Sequence, residues 1–115
     1  MTDVSYTRAQ SGFANTDLDF RLKQQGITNV IVMGLLANTC IESTGQFAME
    51  FGYHATLVKD ATAAFSNERM RAAQELNGPN FAHAIMTTEE LLAALSTGPE
   101  ALTLRPSAAK KSRLQ

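Results

Sequence analysis

The chain is short of the residues that staple a fold, cross a bilayer or blanket a surface with charge. It has one cysteine, so no internal disulfide can form and the fold must hold by packing. That cysteine usage fits a reducing compartment, and the expected setting is cytoplasmic. No apolar run approaches the roughly 20 residues that span a bilayer, and Met1-Thr2-Asp3-Val4-Ser5-Tyr6-Thr7 lacks the basic-then-apolar pattern of a signal peptide. No membrane partner is expected. The net charge of −1 gives no whole-chain electrostatic case for nucleic acid. Zinc-type spacing, GxGxxG, a phosphate loop and internal repeats are all missing, so neither a metal nor a cofactor is implied. What remains is ordinary for a globular chain: 115 residues, 44% hydrophobic and 18% charged, enough for one small domain with a single core.

Periodicity orders the chain from residue 16 onward. Thr16-Asp17-Leu18-Asp19 reads as a helix start, with Thr16 placed to cap and two carboxylates in the first turn. Leu18 and Leu22 share a face, and Gly26 ends the helix. Val30-Ile31-Val32-Met33 is apolar without alternation, the pattern of a strand covered on both faces in a parallel sheet. A helix follows over about 38–51, stopped by Gly52. Tyr53 to Lys59 predicts the second strand, and Asp60 to Phe65 a loop. Ser66 caps a helix to about Leu76 that Asn77-Gly78-Pro79-Asn80 breaks. Phe81 to Met86 predicts a third strand. Thr87-Thr88-Glu89-Glu90 is a capping box opening a last helix through Leu91, Leu92 and Leu95. Strands alternating with helices imply an α/β fold with a parallel sheet and right-handed crossovers, about three strands with four helices. Residues 1–95 form the domain. Residues 96–115 read as a flexible basic tail, holding Arg105, Lys110, Lys111 and Arg113.

Cys40 stands at the junction between the first strand and its helix. Unpaired N–H groups and the positive dipole end of a helix favour an anion there, which suits a nucleophilic thiolate. The alternative reading is a small buried hydrophobe. His54 and His83 fall in separate strand candidates with no second ligand near in sequence, and both read as structural histidines.

Ser11-Gly12-Phe13-Ala14-Asn15-Thr16-Asp17-Leu18, the Gly34-Leu35-Leu36-Ala37-Asn38-Thr39-Cys40 turn, and Gly52-Tyr53-His54 followed by Val58-Lys59-Asp60-Ala61 resemble the isochorismatase-like cysteine hydrolases, over about residues 10–95. The resemblance implies a doubly wound parallel sheet of which this chain holds part. It also implies hydrolysis of a small-molecule C–N amide or related bond, with Cys40 as nucleophile forming a thioester. The N–H groups of Leu36 and Cys40 match an oxyanion hole, Leu35–Leu36 matches a non-proline cis peptide, and Phe13 matches an aromatic near the substrate. Asp60 matches a carboxylate read here as structural.

The departures from the family pattern are as informative. Its aspartate base and its lysine lie upstream in members of typical length. Here Asp3 stands too close to Ser11 to belong to the corresponding strand, and Arg8 is the sole cation in the stretch before Gln10. The chain resembles the carboxyl-terminal half of a hydrolase. Two functions stay open: a hydrolase impaired by loss of the Asp/Lys half, or an inactive remnant that only binds or oligomerises. A central strand left as an apolar edge invites pairing with another chain, so a homo-oligomer is expected.

Overall fold

Val30, Ile31 and Val32 are β-branched and favour extended backbone. They form the middle of β1 (Asn29–Leu35) in a computed structural model that describes residues 10–98. Before it lies α1 (Leu18–Gln24); after it a π-helical turn (Ala37–Ile41) runs into α2 (Glu42–Glu50). Then come β2 (His54–Ala63), α3 (Asn67–Arg71), a π-helical stretch (Ala72–Asn77), α4 (Gly78–Phe81), β3 (Ala84–Met86) and α5 (Thr88–Ser96). The strands form one parallel sheet in the order β1-β2-β3. The expected α/β architecture is therefore present. The boundary drawn at residue 95 falls at the end of α5, while residues 99–115 of the tail lie outside the described residues.

Four local expectations need correction. First, the helix after Ser66 does not break at Asn77-Gly78-Pro79-Asn80. Asn77 and Gly78 keep right-handed helical backbone, and Pro79 enters at the first turn of α4, where its missing N–H leaves no intrahelical bond unmade. The π-helical stretch absorbs the change of register. Counted as one run, α3 to α4 is the third of four helices. Second, the third strand is only Ala84–Met86, because Phe81 closes that helical run. Third, residues 60–63 are strand and not loop: β1 and β2 stay in register through Val32↔Leu57 and resume at Gly34↔Thr62, so β2 carries a bulge that holds Asp60. Fourth, β1 is not covered on both faces, since Ile31, Met33 and Leu35 are 37%, 46% and 66% exposed.

The start of α1 differs less. Asp17 takes the cap position, and Thr16 Oγ1 accepts from Leu18 N at 3.3 Å. Gly26 follows the last turn at φ +70°, a conformation glycine adopts without Cβ strain.

One face of the sheet packs Val32 and Leu57 against Ile41, Phe81 and Ala82. Gly45 of α2 allows the close approach: a Cβ there would stand 2.5 Å from Cε2 of Phe81. The other face packs Val58, Ala84 and Met86 against Leu91 and Ala94 of α5. A third cluster joins Phe13, Ala48, Tyr53 and Ala55, and ties the segment before α1 to α2 and β2.

Candidate active site

In a parallel α/β sheet, reactive groups gather at the carboxyl ends of strands. The end of β1 has that character here. The Leu35–Leu36 peptide is cis, as the resemblance implied. The carbonyl of Leu36 then accepts from Thr39 N and from Ile41 N, both at 3.1 Å. The second of these bonds spans five residues and defines the π-helical turn. Cys40 therefore lies in that turn, two residues before α2, where the sequence predicted a plain helix from 38. It is half-buried. Thr39 Oγ1 donates to Cys40 Sγ at 3.7 Å.

Phe13 reaches the same place from the other side. Ser11 is buried, and its Oγ accepts from Phe13 N at 2.9 Å and Ala14 N at 3.2 Å, closing a tight turn. Gly12 N donates to Thr44 Oγ1 at 3.0 Å, which pins that turn to α2. Thr16 Oγ1 bonds the carbonyls of Gly12 (2.9 Å) and Phe13 (2.8 Å). The Phe13 ring meets Phe51 edge-on at 5.6 Å and Tyr53 at 5.9 Å. Phe13 and Cys40 line one cavity of about 360 Å³, completed by Leu18 and Leu22 of α1, the run from Val30 to Met33, Ile41 and Thr44. The sequence brought Cys40 and Phe13 forward as site residues and the structure brings them together. Leu36 stands half-buried beside the cavity without lining it.

Sequence reasoning read Leu18 and Leu22 as one face of a helix. The 3.6-residue period shows that a face is apolar but not whether it meets solid core or a void.

Among the described residues that line this cavity, none is ionisable except the cysteine. Glu42, the carboxylate nearest to Cys40 in sequence, accepts through Oε1 from Asn77 Nδ2 at 3.1 Å. The charges of α1 pair among themselves: Arg21 Nε with Asp17 Oδ2 at 2.6 Å, and Lys23 Nζ with Asp19 Oδ1 at 2.8 Å. Lys23 and then the Tyr53 hydroxyl, which donates to Asp19 Oδ1 at 2.7 Å, hold the Asp19 carboxyl below its usual range. Burial, and after it Asp19, pushes the Tyr53 phenol well up. Asp3 and Arg8 lie outside the described residues.

Asp60 is structural in its contacts, as read from sequence. Its Oδ1 accepts from Thr88 N at 2.7 Å and Thr88 Oγ1 at 2.8 Å, anchoring the start of α5. The two histidines, predicted apart, stack at 4.6 Å, and His83 Nδ1 accepts from Ala55 N at 3.1 Å. Among the described residues, no group of three His, Cys, Asp or Glu side chains is arranged to hold a metal. Nor is any helix of the described residues long and apolar enough to cross a membrane.

A parallel α/β sheet with a half-buried cysteine in the turn after a strand, facing an aromatic across an apolar cavity, defines a class of candidate cysteine enzymes. The chain belongs to the isochorismatase family: the isochorismatase domain matches residues 3–90, beginning upstream of the stretch that resembled it in the sequence and ending short of Leu95. An uncharacterised isochorismatase family protein of Bacillus subtilis is 35% identical over 91 residues, covering 78% of this chain and 48% of that protein. A ureidoacrylate amidohydrolase of Rhizobium rhizogenes is 30% identical over 86 residues, covering 75% of this chain and 35% of its own. The crystal structure of an isochorismatase-like hydrolase from Alkaliphilus metalliredigens superposes with a TM-score of 0.73 at 33% identity, over 76% of this chain and 48% of that one. The chain thus spans about half the length of the first relatives it matches.

Proposed function

We propose that this chain supplies the cysteine-bearing part of a hydrolase site acting on a C–N amide-type bond of a small molecule. Cys40 Sγ attacks the carbonyl carbon, the C–N bond breaks, and the amine leaves with the proton given up by the thiol. Water then releases the acid from the thioester and restores the thiol. The N–H groups of Leu36 and Cys40 are the proposed oxyanion donors, and Phe13 the aromatic beside the bound substrate. The observation that carries this reading is that Cys40 and Phe13 line one cavity at the carboxyl end of β1. The test is hydrolysis of a panel of small amides by the protein and by Cys40→Ala, with mass spectrometry for an acyl adduct on Cys40. Loss of both turnover and adduct in Cys40→Ala is the expected result; unchanged turnover sinks the mechanism.

A second reading rests on the lining itself. No carboxylate or amine among the described residues reaches the cavity, and general-base help is typically worth about 10²–10⁴-fold. In that reading the chain binds or oligomerises and turns nothing over, unless a base arrives from outside residues 10–98. We also infer self-association through the open edge of β1, in a reducing compartment that keeps Cys40 free.

A further inference from the structure

We infer that the acyl group lodged beside Cys40 is uncharged and apolar, and that this part of the site selects against acyl groups that carry a carboxylate. The inference rests on the hydrolase reading above and adds the substrate class. Three observations support it. The described cavity wall is built from Phe13, Leu18, Leu22, Val32, Met33 and Ile41 with their neighbours, and none of these described residues is a cation that could meet a carboxylate. The hydroxyl of Thr44, the one other hydrogen-bonding side chain on the described wall, accepts from Gly12 N at 3.0 Å and has a single neutral O–H left to offer. And α1 is divided: Leu18 and Leu22 face the cavity, while Arg21 and Lys23 are spent on Asp17 and Asp19.

A carboxylate moved from water against such a wall loses part of its hydration and gains at most one neutral hydroxyl donor, and a desolvated charge without a countercharge is costly. A neutral aliphatic or aromatic acyl group loses nothing comparable and gains contact area. The volume of about 360 Å³ is at the small end for ligand pockets, in keeping with a compact substrate.

The experiment alkylates Cys40 in the folded chain with probes of one reacting group and different charge: iodoacetamide, iodoacetate and N-benzyl iodoacetamide. Each rate is divided by the rate of the same probe on the urea-unfolded chain, which removes intrinsic reactivity. Expected is a normalised preference of about tenfold or more for iodoacetamide over iodoacetate, corresponding to roughly 1.4 kcal/mol, with N-benzyl iodoacetamide at least as fast as iodoacetamide. Equal or faster iodoacetate labelling, or a thiol that no probe reaches until the chain unfolds, overturns the inference. Met33→Lys places a cation on the wall at a half-exposed position and should raise the normalised iodoacetate rate several-fold; an unchanged rate would show that Met33 does not face the thiol and would overturn the cavity assignment. Failure of the hydrolase reading is separable. Neutral selectivity without turnover of any amide sinks that reading alone, whereas Cys40-dependent turnover confined to carboxylate-bearing amides sinks the substrate class alone.

Discussion

One row of the sheet contrasts its two edges. Ile31 of β1, Thr56 of β2 and Ala84 of β3 are register partners and therefore share a face. Exposure along that row is 37%, 1% and 2%. At the β3 side, α5 covers the face with Leu91 and Ala94, and Asp60 ties the helix start to the bulge of β2. At the β1 side the neighbouring positions Met33 and Leu35 are more exposed still, and no described strand pairs with the outer edge. The Cys40 cavity lies on that open side, and takes both Val32 from the covered face and Ile31 and Met33 from the bare one. The covered edge is finished as a fold. The open edge is where chemistry and association would take place, and where neighbouring chain would have to bring what the cavity lacks.

The largest effect expected is on the covered face. Phe81 is among the most buried side chains, packed on Val32, Ile41 and Leu57 with Gly45 of α2 beneath its ring. Phe81→Ala should cost about 3–5 kcal/mol, a large share of a small domain's total stability. Urea titration followed by circular dichroism measures it. A loss under about 1 kcal/mol, well below the range for such substitutions, would show that the α2–α4 layer does not carry the fold.

The open edge should respond in the opposite way. β1 holds no charged residue, and a flat apolar edge pairs readily with another copy. Light scattering is expected to show species larger than a monomer. Leu35→Lys together with Met33→Lys should shift them toward monomer; both side chains are exposed in the protomer, so the unfolding midpoint should fall only by the concentration-dependent share that association supplies. Monodisperse monomer for the unaltered protein would refute pairing through this edge.

The same contrast shows why part of the molecule was legible in sequence. The element order, the capping box and the stop at Gly26 follow from local chemistry: spacing, side-chain oxygens and positive φ. The Cys40 region was located because a lone thiol after an apolar strand is conspicuous, and because the flanking motifs matched a family. What the sequence misplaced depends on tertiary partners. Pro79 reads as a breaker until a π-helical stretch lets it enter at a first turn. Asp60 reads as loop because the bulge that extends β2 is set by β1 across the sheet. The stacking of His54 on His83 joins residues far apart in the chain, and no local pattern announces it. The bareness of Ile31 and Met33 was hidden for the same reason: an apolar run states what a strand prefers, not whether anything covers it.

Smaller effects refine the covered edge at the start of α5. Thr87 Oγ1 accepts from Glu90 N at 3.1 Å and Glu90 Oε1 accepts from Thr87 N at 2.9 Å, a complete capping box. Thr87→Ala should cost about 1 kcal/mol, read from the urea midpoint. No loss would mean that the Asp60 clamp alone fixes the helix start.

Asp60 itself makes that clamp sensitive to acid. The Thr88 hydroxyl, and next the Thr88 N–H, hold its carboxyl below the ordinary carboxylate value. An aspartate in the unfolded chain titrates at about 3.9, so the unfolded state takes up the proton first as pH falls. The contribution of Asp60 is therefore fully present above that value and fades as pH drops through the lower value of the folded state. Asp60→Ala removes it. The gap in unfolding midpoint between the unaltered protein and Asp60→Ala should be constant from neutrality down to mildly acidic pH and narrow below. Asp19, held down by Lys23 and Tyr53, adds an acid sensitivity common to both proteins and so drops out of the difference. A gap that does not change with pH would mean that Thr88 binds the carboxyl equally well in either charge state. The covered edge would then rest on shape alone, with charge contributing nothing to its contrast with the open one.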